Sequence, residues 1–290
     1  CARNYAPKTT KGFEEYITTS YLNYIAHFIQ ELGGKVDNEV TVQYKDYEKI
    51  YPLGTYSHSE RFPLIIDSLL NGNVGYIGLR ERMDNDEDFL KQLDQVMMKM
   101  LDTDGLIIDI RDNGGGSRAP LVKLLPYLIR NSVVTNVARY RINAAEDFKP
   151  GLGYMENRFM YPAEIDTQFW KHSEYEIDLQ TFQKTVHDFS SDFKPSLEVS
   201  DDLFSDYHYM VVEPHGNSYY DKPVIVLINE KCFSATDIFA AGIKQGDRVQ
   251  LMGKTTGGGS GYSTRKELPN SGLKVRFSRM FSYQPDGKMY

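Results

Sequence analysis

Residues 224–237, VIVLINEKCFSATD, constrain this chain more than any other stretch. Five apolar residues, mostly β-branched, read as a buried strand. A short polar turn follows, and Ser234 stands where the apolar run 238–244, IFAAGIK, begins a helix. Two roles fit a serine at such a turn. It can cap the helix, and Asp237 three residues on completes a pattern like a capping box. It can instead be a nucleophile, its hydroxyl exposed and the following backbone N–H groups aimed at the group it attacks.

The rest of the chain alternates in the same manner. Residues 74–79 predict a strand, 86–101 an amphipathic helix, 105–110 a buried strand and 119–129 a helix. Residues 249–253 predict a further strand, and a pair over 273–277 and 279–284 closes the chain. This order implies an α/β fold with a largely parallel sheet. Residues 133–220 interrupt it with a Tyr-rich insertion of short strands and loops. Before the core, residues 13–32 carry helical periodicity, and 40–46 with 47–53 predict a hairpin. Residues 63–73 read as a linker. The expected division is 1–62, then a core over 63–290.

Composition narrows the function. With 41% hydrophobic residues among 290, a substantial core is expected. A net charge of −7 gives no reason to expect nucleic acid as a partner. The two cysteines, Cys1 and Cys232, supply neither a disulfide framework nor metal spacing. No run approaches the roughly 18 apolar residues of a membrane-spanning helix. Cys1 suits the acylated first residue of a bacterial lipoprotein, and also a chain that simply starts there. Any export signal is expected outside this chain.

Two glycine-rich turns accompany Ser234. Gly114-Gly115-Gly116 follows the strand 105–110, and contiguous glycines let backbone N–H groups approach a ligand without Cβ interference. That suits an oxyanion hole, a phosphate site or a tight strand-to-helix connection. Asp109 and Arg111 beside it suit a structural ion pair. Residues 257–261, GGGSG, lie between two strands and are expected along the same sheet edge.

Taken together, GLIIDIRDNGGG over 105–116 and FSATDIFAA over 233–241 resemble the superfamily of tail-specific, or C-terminal processing, serine peptidases. That superfamily includes the tricorn core and the interphotoreceptor retinoid-binding modules. The resemblance implies a ClpP/crotonase-like β/α spiral. It implies Ser234 as nucleophile, with Gly115 and Ala235 N–H groups as oxyanion donors. Asp237 stands where the family usually has Glu. One branch activates its serine with a lysine at the place held here by Gly259, and Lys254 comes too early to replace it. The Thr-Thr-Gly-Gly-Gly loop over 255–259 resembles instead the tricorn-like branch, which uses Ser, His and Glu. Residues 13–54 resemble part of a PDZ-like segment, which puts the family's His ahead of Cys1. The family's Glu is expected beyond Tyr290. Within the chain, His58 is the best candidate base; His172, His187, His208 and His215 fall in the insertion and are expected at the surface, and His27 in a helix. The resemblance implies peptide or protein substrates, no metal or organic cofactor, and a cell-envelope, periplasmic or extracellular setting. The alternative readings are an inactive peptide- or hydrophobic-ligand-binding module on the same fold and an acyl-CoA enzyme.

Overall fold

The computed structural model describes residues 39–44, 47–52, 63–142, 160–165, 177–216 and 218–290. The chain divides into two compact units, Cys1–Pro63 and Leu64–Tyr290. In the first, β1 (Glu39–Tyr44) and β2 (Tyr47–Pro52) form the expected antiparallel hairpin. The helix expected over 13–32, with His27, and the segment carrying His58 lie outside the described residues.

In the second unit the main sheet has five strands: β3 (Ile66–Leu70), β4 (Val74–Gly78), β5 (Gly105–Asp109), β9 (Val224–Ile228) and β10 (Val249–Gly253). Their order is β10-β9-β5-β4-β3, parallel except for β3. Ile77, Leu106, Ile108 and Val226 are buried, as strands covered by helices require. Burial of each such side chain contributes about 1.5–3 kcal/mol. The amphipathic helix α1 (Glu87–Met100) starts at Asp86, whose carboxylate accepts the Asp88 and Phe89 N–H groups. It buries Phe89, Leu93, Met97 and Met100. Helix α2 (Ala119–Leu124) is shorter than the periodicity predicts. The turn over Leu125–Tyr127 tightens to a 3-10 form where Pro126 removes a backbone donor. Helix α4 (Ala235–Ile243) is buried along its whole length.

Three expectations are corrected. Residues 63–73 are not all linker, because β3 pairs with β4 across a three-residue turn at Asn71-Gly72-Asn73. Positive φ at Gly72 (78°) and Asn73 (55°) is what such a turn needs, and the Asn-Gly pair was its signal. The two closing strands do not pair with each other. β12 (Lys274–Ser278) forms a hairpin with β11 (Ser263–Glu267), while β13 (Met280–Tyr283) joins β6 (Val133–Tyr140). Pro269 to Gly272 supply turn chemistry between β11 and β12, whereas Arg279 alone separates β12 from β13 and cannot reverse the chain. Finally, the insertion contains helix α3 (Leu179–Ser190) besides its strands β7 (Tyr161–Pro162) and β8 (His208–Val212). Asp178 caps it, and Phe182 and Val186 are its two fully buried side chains.

The insertion strands and β13 form a second, antiparallel sheet, ordered β13-β6-β8-β7. One face packs Val134, Val137, Tyr209 and Val211 against Phe182 and Val186 of α3. The other turns Ala138, Met210, Val212 and Met280 into the main core, alongside Ile238 and Phe239 of α4. Helix α4 thus lies against both layers.

Candidate active site

The carboxyl ends of β5 and β9 are neighbours in the parallel sheet, the usual place for a ligand in such folds. The turns that follow them are tied together. Asp112, at φ 67°, accepts from Asn229 Nδ2 at 3.0 Å, and its own N–H donates to Asn229 Oδ1 at 3.0 Å. Burial pushes the Asp112 carboxyl up, but Asn229, Arg80 and Lys231 outweigh it and hold it at about 2. Arg111 grips Asp109 with Nε at 2.9 Å and Nη2 at 2.7 Å, the expected structural ion pair.

Asn113 is the hub beneath the site and is fully buried. Its Oδ1 accepts the Gly115 N–H at 2.9 Å and the Thr236 hydroxyl at 2.8 Å. Its carbonyl accepts the Phe233 N–H at 3.2 Å, and its Nδ2 donates to the Leu79 carbonyl. One side chain therefore fixes the glycine turn to the first turn of α4. Sequence reasoning passed over Asn113; the signal was a short amide immediately before three glycines.

Ser234 opens α4 without capping it. No side-chain cap bond is present, and the backbone sits at φ 59°, ψ −122°. A non-glycine residue there costs of order 1–3 kcal/mol, a strain that the packed surroundings must hold. The Ser234 carbonyl accepts the Asp237 N–H at 3.0 Å and the Ser260 hydroxyl at 2.8 Å. The Ala235 N–H has no hydrogen-bond partner among the described residues. Gly115, at φ 99°, packs on this turn so closely that a Cβ would stand 2.8 Å from Ser234 Cβ and 2.9 Å from Ala235 N. Ser234, Gly115 and Ala235 are thus brought together. The Gly115 N–H is bonded to Asn113, however, so Ala235 presents the open donor of the pair.

The second glycine turn lies here too. Phe233 bridges to Gly258, and a Cβ on Gly259 would stand 2.5 Å from the Phe233 ring. Gly259 therefore leaves no room for a lysine side chain. Lys254 is at the surface, paired with Glu230. Beside this turn a cavity of about 310 Å³ opens, walled by Gly259, Ser260, Phe204, Met280, Phe281 and Met289.

Asp237 lies under the second glycine turn. It is 2% exposed, its Oδ1 accepts the Gly258 N–H at 3.1 Å, and its Oδ2 is buried with no hydrogen bond. Burial pushes its carboxyl up to about 6, against the opposing pull of Thr256, Gly258 and Ser234. A raised carboxyl binds its proton more tightly in the folded chain. Its contribution to stability is therefore lost as pH rises from about 4 to 6. Asp237→Asn is expected to flatten that slope and to gain on the order of 2–3 kcal/mol at pH 7. Denaturant titrations at pH 4 and pH 7 check this; an unchanged slope would show that another group sets it.

The described histidines lie elsewhere. His187 is exposed on α3, and His215 is exposed against the Tyr127 ring. His208, expected at the surface, is instead buried. Its Nδ1 lies 2.9 Å from the Asp206 carbonyl and its ring meets Tyr140 edge-on. Placement on β8 within a sheet covered on both faces overrode its polarity. His58 and His172 lie outside the described residues. Cys232 is buried, with its thiol pushed up to about 12 by burial, which leaves it unreactive. Among the described residues no cluster of His, Cys, Asp and Glu could hold a metal ion, and no helix is long and apolar enough to cross a membrane.

Comparison with known proteins agrees with this architecture. An uncharacterized protein of Chlamydia muridarum is 31% identical over 237 residues, covering 75% of this chain and 39% of its own length. A protein of Chlamydia trachomatis is 30% identical over 189 residues, covering 60% of this chain and 30% of its own. The chain thus spans well under half the length of these relatives. Mature CPAF complexed with lactacystin superposes with a TM-score of 0.60 at 18% identity, over 99% of this chain and 68% of that one. A crystal structure from Parabacteroides merdae gives 0.51 at 18% identity, over 94% and 72%. These likenesses bear out the α/β fold class. The model of peptidase family S41 matches residues 73–289, the whole span from β4 through both glycine turns to β13, and the chain belongs to that family.

Proposed function

We propose that this chain is the core of a serine-type endopeptidase of the tail-specific, tricorn-like class, with Ser234 as nucleophile. The observation that carries this reading is the strained Ser234 turn, which frees the hydroxyl from capping and leaves the Ala235 N–H open beside it. Ser234 Oγ attacks the peptide carbonyl while a base takes its proton. The oxyanion rests on Ala235 N–H, and on Gly115 N–H once it turns from Asn113. The C–N bond breaks, the amine takes the proton from the base, and water then hydrolyses the acyl-enzyme. Gly259 excludes a lysine base, and no described histidine is bonded to Ser234. The resemblance to the tricorn-like branch makes the base a histidine, supplied from outside residues 1–290, with His58 as the internal alternative.

The bond between Gly115 N–H and Asn113 favours one competing reading, an inactive peptide- or hydrophobic-ligand-binding module. A fluorophosphonate probe separates the two. Labelling of the full-length protein at Ser234 is expected; no labelling, under conditions where an active family member reacts, selects the binding module.

A further inference from the structure

Among the described residues, few contacts hold the hairpin of β11 and β12. Of its ten strand residues only Thr264 and Phe277 are partly buried. The two strands pair only with each other among the described residues, and an isolated two-stranded hairpin is marginal in water. Arg265 lies directly opposite Arg276, an arrangement that costs stability because like charges face each other. Arg276 Nε donates to Ser263 Oγ, while the Arg265 guanidinium has no partner among the described residues. The strands carry four cations against one carboxylate, Glu267, in a chain whose net charge is −7. Leu273 is 63% exposed at the tip and Val275 42% on β12.

We propose that this hairpin is an exosite holding an extended acidic segment of the protein substrate, with its carboxylates between Arg265 and Arg276. Guanidinium forks bind carboxylates in two-bond geometry, and an acidic residue placed between them removes the like-charge cost. The free strand edges offer main-chain groups to an added strand, and Leu273 and Val275 offer apolar contact to its alternate residues. A second copy of the hairpin is the wrong occupant, because it would add a second set of cations. The hairpin starts two residues after Gly261, and Ser260 holds the Ser234 carbonyl, so a segment bound there leads towards the nucleophile. Only the word substrate rests on the reading of Ser234; the binding itself does not.

The test uses the full-length protein carrying Ser234→Ala, which binds without turnover. A fluorescein-labelled peptide of alternating Glu and Val is compared by anisotropy with the same peptide carrying Gln for Glu. Binding of the Glu peptide that falls with added salt is expected, and roughly tenfold weaker binding for the Gln peptide and for the Arg265→Ser/Arg276→Ser variant. The melting temperature of that variant should be unchanged or higher, since a repulsive pair is gone; a fall would mark the arginines as structural and overturn the proposal. Equal binding of the two peptides also overturns it. So does binding to phosphatidylglycerol vesicles without binding to the peptide, or a dimer by sedimentation that the arginine substitutions dissolve. Failed fluorophosphonate labelling with intact Glu-peptide binding would remove the peptidase reading and leave the hairpin site standing.

Discussion

In the full-length protein, Ser234→Gly is expected to abolish the proposed peptide hydrolysis and raise thermal stability together. Ser234 holds φ 59°, ψ −122°, where a Cβ is strained and glycine is not. Relief of that strain offsets the greater chain entropy that glycine loses on folding, leaving a net gain of about 1 kcal/mol. For a unit of this size that is roughly 2–4 °C in melting temperature. Ser234→Ala keeps the Cβ and hence the strain, so its melting temperature should match the parent. Both variants lose the hydroxyl proposed as nucleophile, and hydrolysis by the full-length protein should fall by roughly 10⁴–10⁶-fold. The pair separates chemistry from packing, since activity falls in both and stability rises in one. A glycine variant that melts below the alanine variant would show that the serine turn stores no strain. Retained hydrolysis in Ser234→Ala would remove Ser234 from the mechanism.

Much of this site was legible before the structure because it depends on local chemistry. A buried apolar run must be a strand, a triple glycine must be a turn, and their parallel pairing brings the turns to one edge. The Val224–Ile228 strand and the Ser234 turn are of that kind. The choice between cap and nucleophile was not legible locally, because a serine at positive φ and a capping serine have the same neighbours in sequence. The backbone angle and the missing cap bond remove only the capping role. The partner of β13 was hidden for a different reason. Met280 and Tyr140 pair although they lie far apart in the chain, and the packing of α4 between two sheets sets that pairing, which no window of sequence reports. His208 misled in the same way, since its polarity predicts exposure and its sheet forbids it. Helix α3 was readable in principle from Asp178 and the spacing of Leu179, Phe182 and Val186, but the aromatic-rich segments around it obscured that period.

The three glycines after β5 should respond very differently to alanine, and the contrast tests the oxyanion geometry. At Gly115 a Cβ would stand 2.4 Å from the Phe233 carbonyl oxygen, with Ser234 and Ala235 nearly as close. All are backbone or Cβ atoms held by Asn113 and Ser260, so none can step aside as a flexible side chain would. Positive φ adds to the clash. Overpacking and strain together imply a loss of about 3 kcal/mol. Displacing this turn also moves both candidate donors, and loss of one such donor costs roughly 10²–10³-fold in kcat. Gly116→Ala would press on the Met83 carbonyl at 2.1 Å and break the bridge between those residues, which lowers stability by a similar amount. Gly114 is not at positive φ, and no atom lies within 4 Å of its missing Cβ. Gly114→Ala should therefore leave turnover unchanged and stability within about 0.5 kcal/mol of the parent. Melting temperatures and kcat for the three variants of the full-length protein measure this. Equal damage at Gly114 and Gly115 would mean that the turn needs glycine for flexibility during turnover, and that close approach to Ser234 is not what Gly115 provides. Damage confined to Gly115 and Gly116, with fluorophosphonate labelling lost at Gly115 alone, would place an oxyanion donor at Gly115 even though Asn113 holds that N–H in the resting chain.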